Sequence, residues 1–192
     1  MIDSNFIILD FGCGRNKVKG SIGVDKVNLE NVDVQHDLIC FPYPFDSNSA
    51  DKIYCRHVLE HFDADLRNKI LGEMYRILKR GGQLEIRVPH VFSVGAFHDP
   101  THKSFFTFNT MDYFTENHPF SYYNEFFFKI IKRWANVYIF YSASPPSKLV
   151  KILNNLCSMI LNKFMKISST IPDLLVKLCP FYFVEIFWVL EK

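Results

Sequence analysis

Four groups of residues in this chain have the types and spacing to do chemistry. Ile8-Leu9-Asp10-Phe11 runs into Gly12-Cys13-Gly14, an apolar stretch ending in a glycine turn that lets a ligand approach the backbone. Ile22-Gly23-Val24-Asp25 follows, a second short apolar run ending in an acid that can accept both hydroxyls of a ribose. Together these read as a nucleoside site; a glycine turn in an unrelated α/β domain is the plainer alternative. The third group, His57-Val58-Leu59-Glu60-His61, matches HxxEH, the inverted zinc-peptidase string, whose histidines would share a face if the segment were helical. A strand-like Ile53–Cys55 precedes it and no third ligand stands out, so no metal site is assigned there. The fourth is His90 with His98-Asp99-Pro100-Thr101-His102. Its proline stiffens the turn, so Asp99 can orient His102 as a base; the plainer reading has Asp99 capping a turn and His102 bonded to backbone. A metal at His90, His98, Asp99 and His102 is a lesser alternative.

The elements that must position these groups alternate between strand and helix over the first ninety residues, which argues for a mostly parallel sheet. Strands are expected at 6–11, 22–25, 32–35, 52–56 and 83–88. Between the last two, Leu66, Ile70, Leu71, Met74, Ile77 and Leu78 recur at helical spacing. The helix is expected to run from an Asp63 cap to Arg80, with Gly81-Gly82 as its stop. Asn109 is placed to cap a short helix over Thr110–Phe114, and 126–141 reads as extended. Pro145-Pro146 mark a break before a helix over Ser147–Ile167, whose polar stripe is Lys151, Asn155, Ser158, Asn162 and Lys166. That helix is expected to cover the sheet rather than form a dimer contact or rest on a membrane. Tyr182–Leu190 reads as a final strand.

Composition narrows the class. A chain of 192 residues reads as one domain, 1–192, with a helical insertion at about 145–180. A net charge of +2 with dispersed Lys and Arg argues against a nucleic-acid partner. Five cysteines without a CxxC pair suit a reduced, cytoplasmic chain. Met1-Ile2-Asp3-Ser4-Asn5 has no basic region before an apolar stretch, so no signal peptide is expected. Phe92, Phe97, Phe105, Phe106 and Tyr113 are equally readable as walls of an acceptor site or as core.

Asp10-x-Gly12-x-Gly14, Gly23-Val24-Asp25, His36-Asp37-Leu38 with Pro42-x-Pro44-Phe45, Asp51-Lys52-Ile53, His57-Val58-Leu59-Glu60-His61 and Glu73-x-x-Arg76-Ile77-Leu78-Lys79-x-Gly81-Gly82 occur in that order. The series resembles the class I S-adenosylmethionine-dependent methyltransferases, in particular the small-molecule, type 11-like group, some of whose members lie in bacterial surface-glycan gene clusters. The resemblance covers 6–114 well, and 181–192 looks like the family's terminal strand. It implies a doubly wound, mostly parallel Rossmann-like sheet with an antiparallel last strand. It also implies S-adenosylmethionine as cofactor and a small-molecule or sugar acceptor, methylated on oxygen rather than nitrogen. By the same resemblance Gly12, Cys13 and Gly14 pass close to the methionyl end, and Asp10 helps hold its amino group. Asp25 binds the ribose, Asp37 accepts from the adenine amino group, Leu38 packs on the ring and His57 lies beside the cofactor. A loop-capping Asp37 is the plain alternative. His102, Asp99 and His61 are the expected catalytic residues.

One departure stands out. Gly14 and Asp25 are only eleven positions apart, where a dinucleotide fold places its acid about 20 residues past the first turn. The first helix is therefore reduced or missing, which counts against a pyrophosphate-bearing cofactor. Two other readings stand beside methyl transfer: a non-catalytic subunit retaining the cofactor fold, and a metal-dependent hydrolase using the HxxEH string. A homodimer through the C-terminal helical segment stays open.

Overall fold

The computed structural model describes residues 6–138, 147–168, 170–178 and 183–192. The N-terminal pentapeptide, the Pro145-Pro146 break and Tyr182 lie outside them. The elements are β1 (Ile8–Phe11), β2 (Ile22–Asp25), β3 (Val34–Gln35), β4 (Ala50–Arg56), α1 (Ala64–Ile77), β5 (Leu78–Pro89), α2 (Gly95–His98), β6 (Lys129–Tyr138), α3 (Lys148–Met165), α4 (Thr170–Leu178) and β7 (Phe183–Glu191). Seven strands form one sheet in the order β3-β2-β1-β4-β5-β7-β6. The ladders from β3 to β5 are parallel; β7 runs antiparallel to both β5 and β6. The order reverses between β1 and β4, and ligands of open α/β sheets bind outside the strand ends at such a point.

The first three crossovers contain no α-helix among the described residues. Aromatic side chains of the loop after β3 cover β1 instead: the Phe11 ring centroid lies 5.4 Å from Tyr43 and 5.9 Å from Phe45. Helix α1 pins that loop. The Glu73 carboxylate accepts the Tyr43 N–H at 2.6 Å, and Arg76 donates to the Phe45 and Tyr43 carbonyls. Glu73 and Arg76 also pair with each other, at 2.7 Å.

Helix α1 begins as expected, with the Asp63 carboxylate accepting the Leu66 N–H at 3.0 Å. Its end differs. The helix stops at Ile77, and Leu78 is already extended and pairs with Ala50. Within β5, residues 79–82 form a bulge in the ladder with β4, and Gln83 resumes the pairing opposite Lys52. Hydrogen bonds to the end of β7, Gly81 N–H to Lys192 O and Lys192 N–H to Gly82 O, outcompete a glycine-stopped helix end. Asn109 precedes the 3-10 turn over Thr110–Phe114, but its side chain does not cap it; its oxygen accepts from Arg133 at 3.0 Å.

Helix α3 lies against the edge strand β6 with part of its polar stripe turned inward. Asn162 accepts the Ala135 N–H at 2.8 Å and donates to the Ala135 carbonyl at 2.9 Å, and the Ser158 hydroxyl accepts the Val137 N–H. Leu161 enters the core, while Leu149, Ile152, Leu156, Met159 and Ile160 are exposed. The helix therefore covers the edge of the sheet, with much of its apolar stripe outward. No helix among the described residues is long and apolar enough to cross a membrane.

Candidate functional site

The glycine turn at the C-terminal end of β1 is shaped by contact on one side and space on the other. Gly12 sits at φ +65°, and a Cβ there would lie 2.2 Å from Val58 Cγ2. Gly14 sits at φ +49°, and a Cβ there would meet nothing within 4 Å. Both positions need the left-handed region that glycine enters at least cost. The Asp25 carboxylate accepts the Gly14 N–H at 2.9 Å and the Val27 N–H at 3.0 Å. Each of its oxygens keeps a lone pair for a further donor.

Asp10 is fully buried. Its Oδ2 accepts the Val18 N–H and an Arg56 N–H, both at 2.8 Å, while Oδ1 is buried without a partner among the described residues. Burial pushes this carboxyl above the usual aspartate range, against the lowering effect of Val18 and Arg56. Cys13 is buried in the same turn. Asp37 makes a local loop bond, accepting the Ile39 N–H at 3.2 Å, as the capping alternative describes. Leu38 belongs to the core at 6 % exposure, so little of its surface is left for a ring to pack on.

Beyond Val58 the chain enters a second environment. His57 has a left-handed φ of 55°, Val58 lies outside both the helical and the extended regions at φ −129° and ψ −49°, and Leu59–His61 form a single 3-10 turn. The string is therefore not an α-helix, and His57 and His61 do not form the i, i+4 pair of a zinc peptidase. His57 bridges two buried acids: Nε2 lies 2.9 Å from Glu185 and Nδ1 lies 3.2 Å from Glu60. Burial opposes charge on the ring, but hydrogen bonds to Glu185 and Glu60 outweigh it and raise its pKa to about 9. Burial likewise pushes Glu185 up, yet His57 and Arg87, whose Nη2 lies 2.5 and 2.6 Å from the two carboxylate oxygens, hold it below the usual glutamate range.

The residues around Val58 open onto a cleft of about 480 Å³ at the ends of β4 and β5, lined by His57, Glu60, His61, His98, Asp99 and His102 among others. The loop carrying His102 is tied to the 3-10 turn, because the Lys103 and Ser104 N–H groups both donate to the Glu60 carbonyl, at 2.7 and 3.0 Å. The His61 and His102 rings meet edge to face with centroids 4.9 Å apart. The expected Asp99–His102 pair does not form. Asp99 instead accepts the Thr101 N–H at 2.8 Å and the Thr101 hydroxyl at 2.7 Å, and Thr101 Oγ1 lies 2.8 Å from His61 Nδ1. His102 is oriented by backbone, its Nδ1–H donating to the Ala96 carbonyl at 2.9 Å. The two-residue reach of an aspartate in a tight turn favours Thr101 over the ring next to it. The Ser104 hydroxyl, donating to the Phe62 carbonyl, completes the loop's attachment.

His90 leaves this cluster. It is fully buried, accepts the Phe92 N–H on Nδ1 at 3.1 Å and donates from Nε2 to Asp173 of α4 at 2.7 Å. That arrangement dissolves the alternative metal set of His90, His98, Asp99 and His102. Phe106 is core, whereas Phe97 and Phe105 are exposed and stack at 5.1 Å. Tyr113 lines a different cleft, with Arg67 and Asn109. The sequence reading missed Glu185, Arg87 and Arg56. A lone acid within the apolar run Val184–Leu190 was the available signal for Glu185.

Residues 9–86 match the family model of a methyltransferase domain. No curated protein matches the chain by sequence. Among solved structures, an S-adenosylmethionine-dependent methyltransferase from Archaeoglobus fulgidus is similar at TM-score 0.60 and 18% identity, over 98% of this chain and 87% of that one. The YcgJ protein from Bacillus subtilis is similar at TM-score 0.53 and 18% identity, over 98% and 92%. Phosphoethanolamine N-methyltransferase 2 from Haemonchus contortus, in complex with phosphomonomethylethanolamine and S-adenosylhomocysteine, is similar at TM-score 0.56 and 15% identity, over 100% of this chain and 50% of that one. With the strand order, these likenesses establish the Rossmann-like methyltransferase fold.

Proposed function

We propose that this chain, which carries a class I S-adenosylmethionine-dependent methyltransferase domain of the type 11 family, methylates a hydroxyl of a small molecule or sugar seated in the His61–His102 cleft. The observation that carries this reading is a shared wall. Val58 packs against Gly12 of the cofactor turn, and its neighbours His57, Glu60 and His61 line the cleft. A methyl donor at the glycine turn and an acceptor in the cleft would therefore lie side by side.

The residues at the turn suit the cofactor. Space beside Gly14 and the unpartnered Asp10 Oδ1 would admit the methionyl end and its ammonium, and Asp25 would accept the ribose hydroxyls. Asp37 would accept from the adenine amino group. When bound, S-adenosylmethionine supplies an electrophilic methyl group on a sulfonium sulfur, so the protein's task is alignment and proton removal. In the neutral rings, His61 and His102 each use Nδ1 as a donor, which leaves Nε2 as the basic nitrogen. His102 would take the hydroxyl proton on Nε2 while the acceptor oxygen bonds to the methyl carbon and the carbon–sulfur pair goes to sulfur. Asp99 would act through Thr101 to hold His61, a positioning role.

Calorimetric titration of S-adenosylmethionine and S-adenosylhomocysteine into native and Asp25→Ala protein tests the cofactor half. Binding lost in the variant is expected; a folded native chain that binds neither compound overturns the reading and brings the non-catalytic subunit forward. A screen of sugar nucleotides and small alcohols with native and His102→Ala protein tests the acceptor half.

A further inference from the structure

We infer that Glu60, His61 and His102 form a binding site for one divalent transition-metal ion on the acceptor side of the cleft. One ligating atom from each of the three residues lies within 4.8 Å of the other two. The bonds around the two histidines say which nitrogen of each is free to ligate. The Ala96 carbonyl can only accept, so His102 carries its proton on Nδ1. Thr101 gives its hydroxyl proton to Asp99, so its oxygen accepts from His61, which likewise carries its proton on Nδ1. Each imidazole, with its proton on Nδ1, therefore holds an Nε2 lone pair that no hydrogen bond among the described residues occupies. Metal-binding histidines are oriented in this way, through a carbonyl or carboxylate on the far nitrogen.

The third donor is an independent observation. Glu60 is fully buried, its Oε1 accepts from His57, and its Oε2 has no hydrogen-bond partner among the described residues. A buried carboxylate oxygen without a donor is costly, and a cation between it and the two imidazoles would satisfy it. Two nitrogens and one carboxylate oxygen suit zinc, iron or cobalt better than magnesium or calcium. Ions at about 2.0–2.1 Å from such donors set them about 3.3 Å apart in tetrahedral geometry. Donors now within 4.8 Å of one another would close by up to about 1.5 Å to reach that separation. Three protein ligands leave at least one position open.

That open position gives the site its use, and here the inference rests on the proposed methyl transfer. A hydroxyl bound there becomes more acidic. Its proton passes to solvent, its oxygen bonds to the methyl carbon, and the carbon–sulfur pair goes to sulfur. With the ion in place the imidazoles hold metal, and the metal takes over the activation otherwise left to His102.

The test is titration of Co²⁺ into tag-free, metal-stripped full-length protein, followed by visible absorption, with Zn²⁺ competition and an S-adenosylhomocysteine titration on every sample. One equivalent of Co²⁺ with a low-symmetry visible spectrum is expected. Glu60→Gln and His102→Ala should each weaken binding by about a hundredfold or more, and Asp99→Ala, which only releases Thr101, by about tenfold to a hundredfold. S-adenosylhomocysteine affinity should be unchanged, which shows that each variant is folded. No Co²⁺ or Zn²⁺ binding to protein that binds S-adenosylhomocysteine overturns the inference, as does undiminished binding in the His61→Ala/His102→Ala double variant. Metal binding without S-adenosylhomocysteine binding would instead sink the methyl-transfer reading and leave the ion site standing.

Discussion

Replacing each glycine of the β1 turn by alanine should separate stability from binding. At Gly12 the new Cβ meets two penalties. The left-handed φ of +65° costs an alanine about 1–2 kcal/mol. The 2.2 Å approach to Val58 Cγ2 is far inside the 3.5–4.0 Å of an ordinary carbon contact, and forced overpacking of this kind costs about 1–3 kcal/mol. Gly12→Ala should therefore lose about 2–5 kcal/mol, a large share of a typical domain's stability. Gly14→Ala carries only the backbone penalty, about 1–2 kcal/mol, because no atom lies within 4 Å of the added methyl. That methyl would instead occupy the space proposed for the methionyl end. Urea unfolding of both variants, with S-adenosylhomocysteine titrations, gives the comparison. Adding Val58→Ala supplies an internal control: the cost of Gly12→Ala should shrink by about 1–3 kcal/mol in that background, the size of a contact coupling. Equal destabilisation by the two glycine variants, with no coupling to Val58, would refute the packing argument.

Other outcomes are expected elsewhere. Asp25→Asn removes the charge that accepts the Gly14 and Val27 N–H groups and should weaken cofactor binding by about tenfold or more, as calorimetry would read. Asp173→Ala strips the partner from buried His90 Nε2–H and from the Phe108 N–H, and should cost about 1–3 kcal/mol in urea unfolding, with Asp173→Asn intermediate. Hydrogen bonds from Arg76, opposed by partial burial, hold Glu73 below its usual range. Its stabilising effect is thus present above the unfolded glutamate pKa and disappears as pH falls through the lower folded value. The stability gap between native protein and Glu73→Gln should accordingly be widest near neutrality and close in acid, which urea titrations across pH would follow.

Parts of this molecule were legible because a residue type has few other uses there. Gly12 and Gly14 announce a turn with positive φ and close approach, and the distance from Gly14 to Asp25 leaves no room for a helix. Asp63 caps α1 because an aspartate before an apolar stripe has that ready use. What escaped depends on partners distant in sequence. Nothing in Asp99-Pro100-Thr101-His102 shows that Thr101 will turn to His61, forty positions earlier, or that Glu185 will close on His57 from the far end of the chain. The stop of α1 was misplaced because Gly81 resembles a helix terminator, whereas the C-terminal residue Lys192 supplies the bonds that draw Lys79–Gly82 into β5. For α3 the periodicity marks a polar stripe, but the bare N–H groups of β6 determine which way that stripe turns.

That last contact bears on how the β6 edge is kept from pairing with a further strand. An edge strand with a free row of amides is a template for another strand, and proteins blunt such edges. On β6 the carboxamide of Asn162 both gives to and takes from Ala135, as a neighbouring strand's peptide group would, and Ser158 occupies Val137. Lys129, Lys132 and Arg133 add charge along the same strand. Helix α3 thus acts as a counterfeit eighth strand. Growth of the sheet by recruitment of a second molecule at this edge requires the helix to lift away first, so the barrier to cross-chain pairing is the stability of α3 itself.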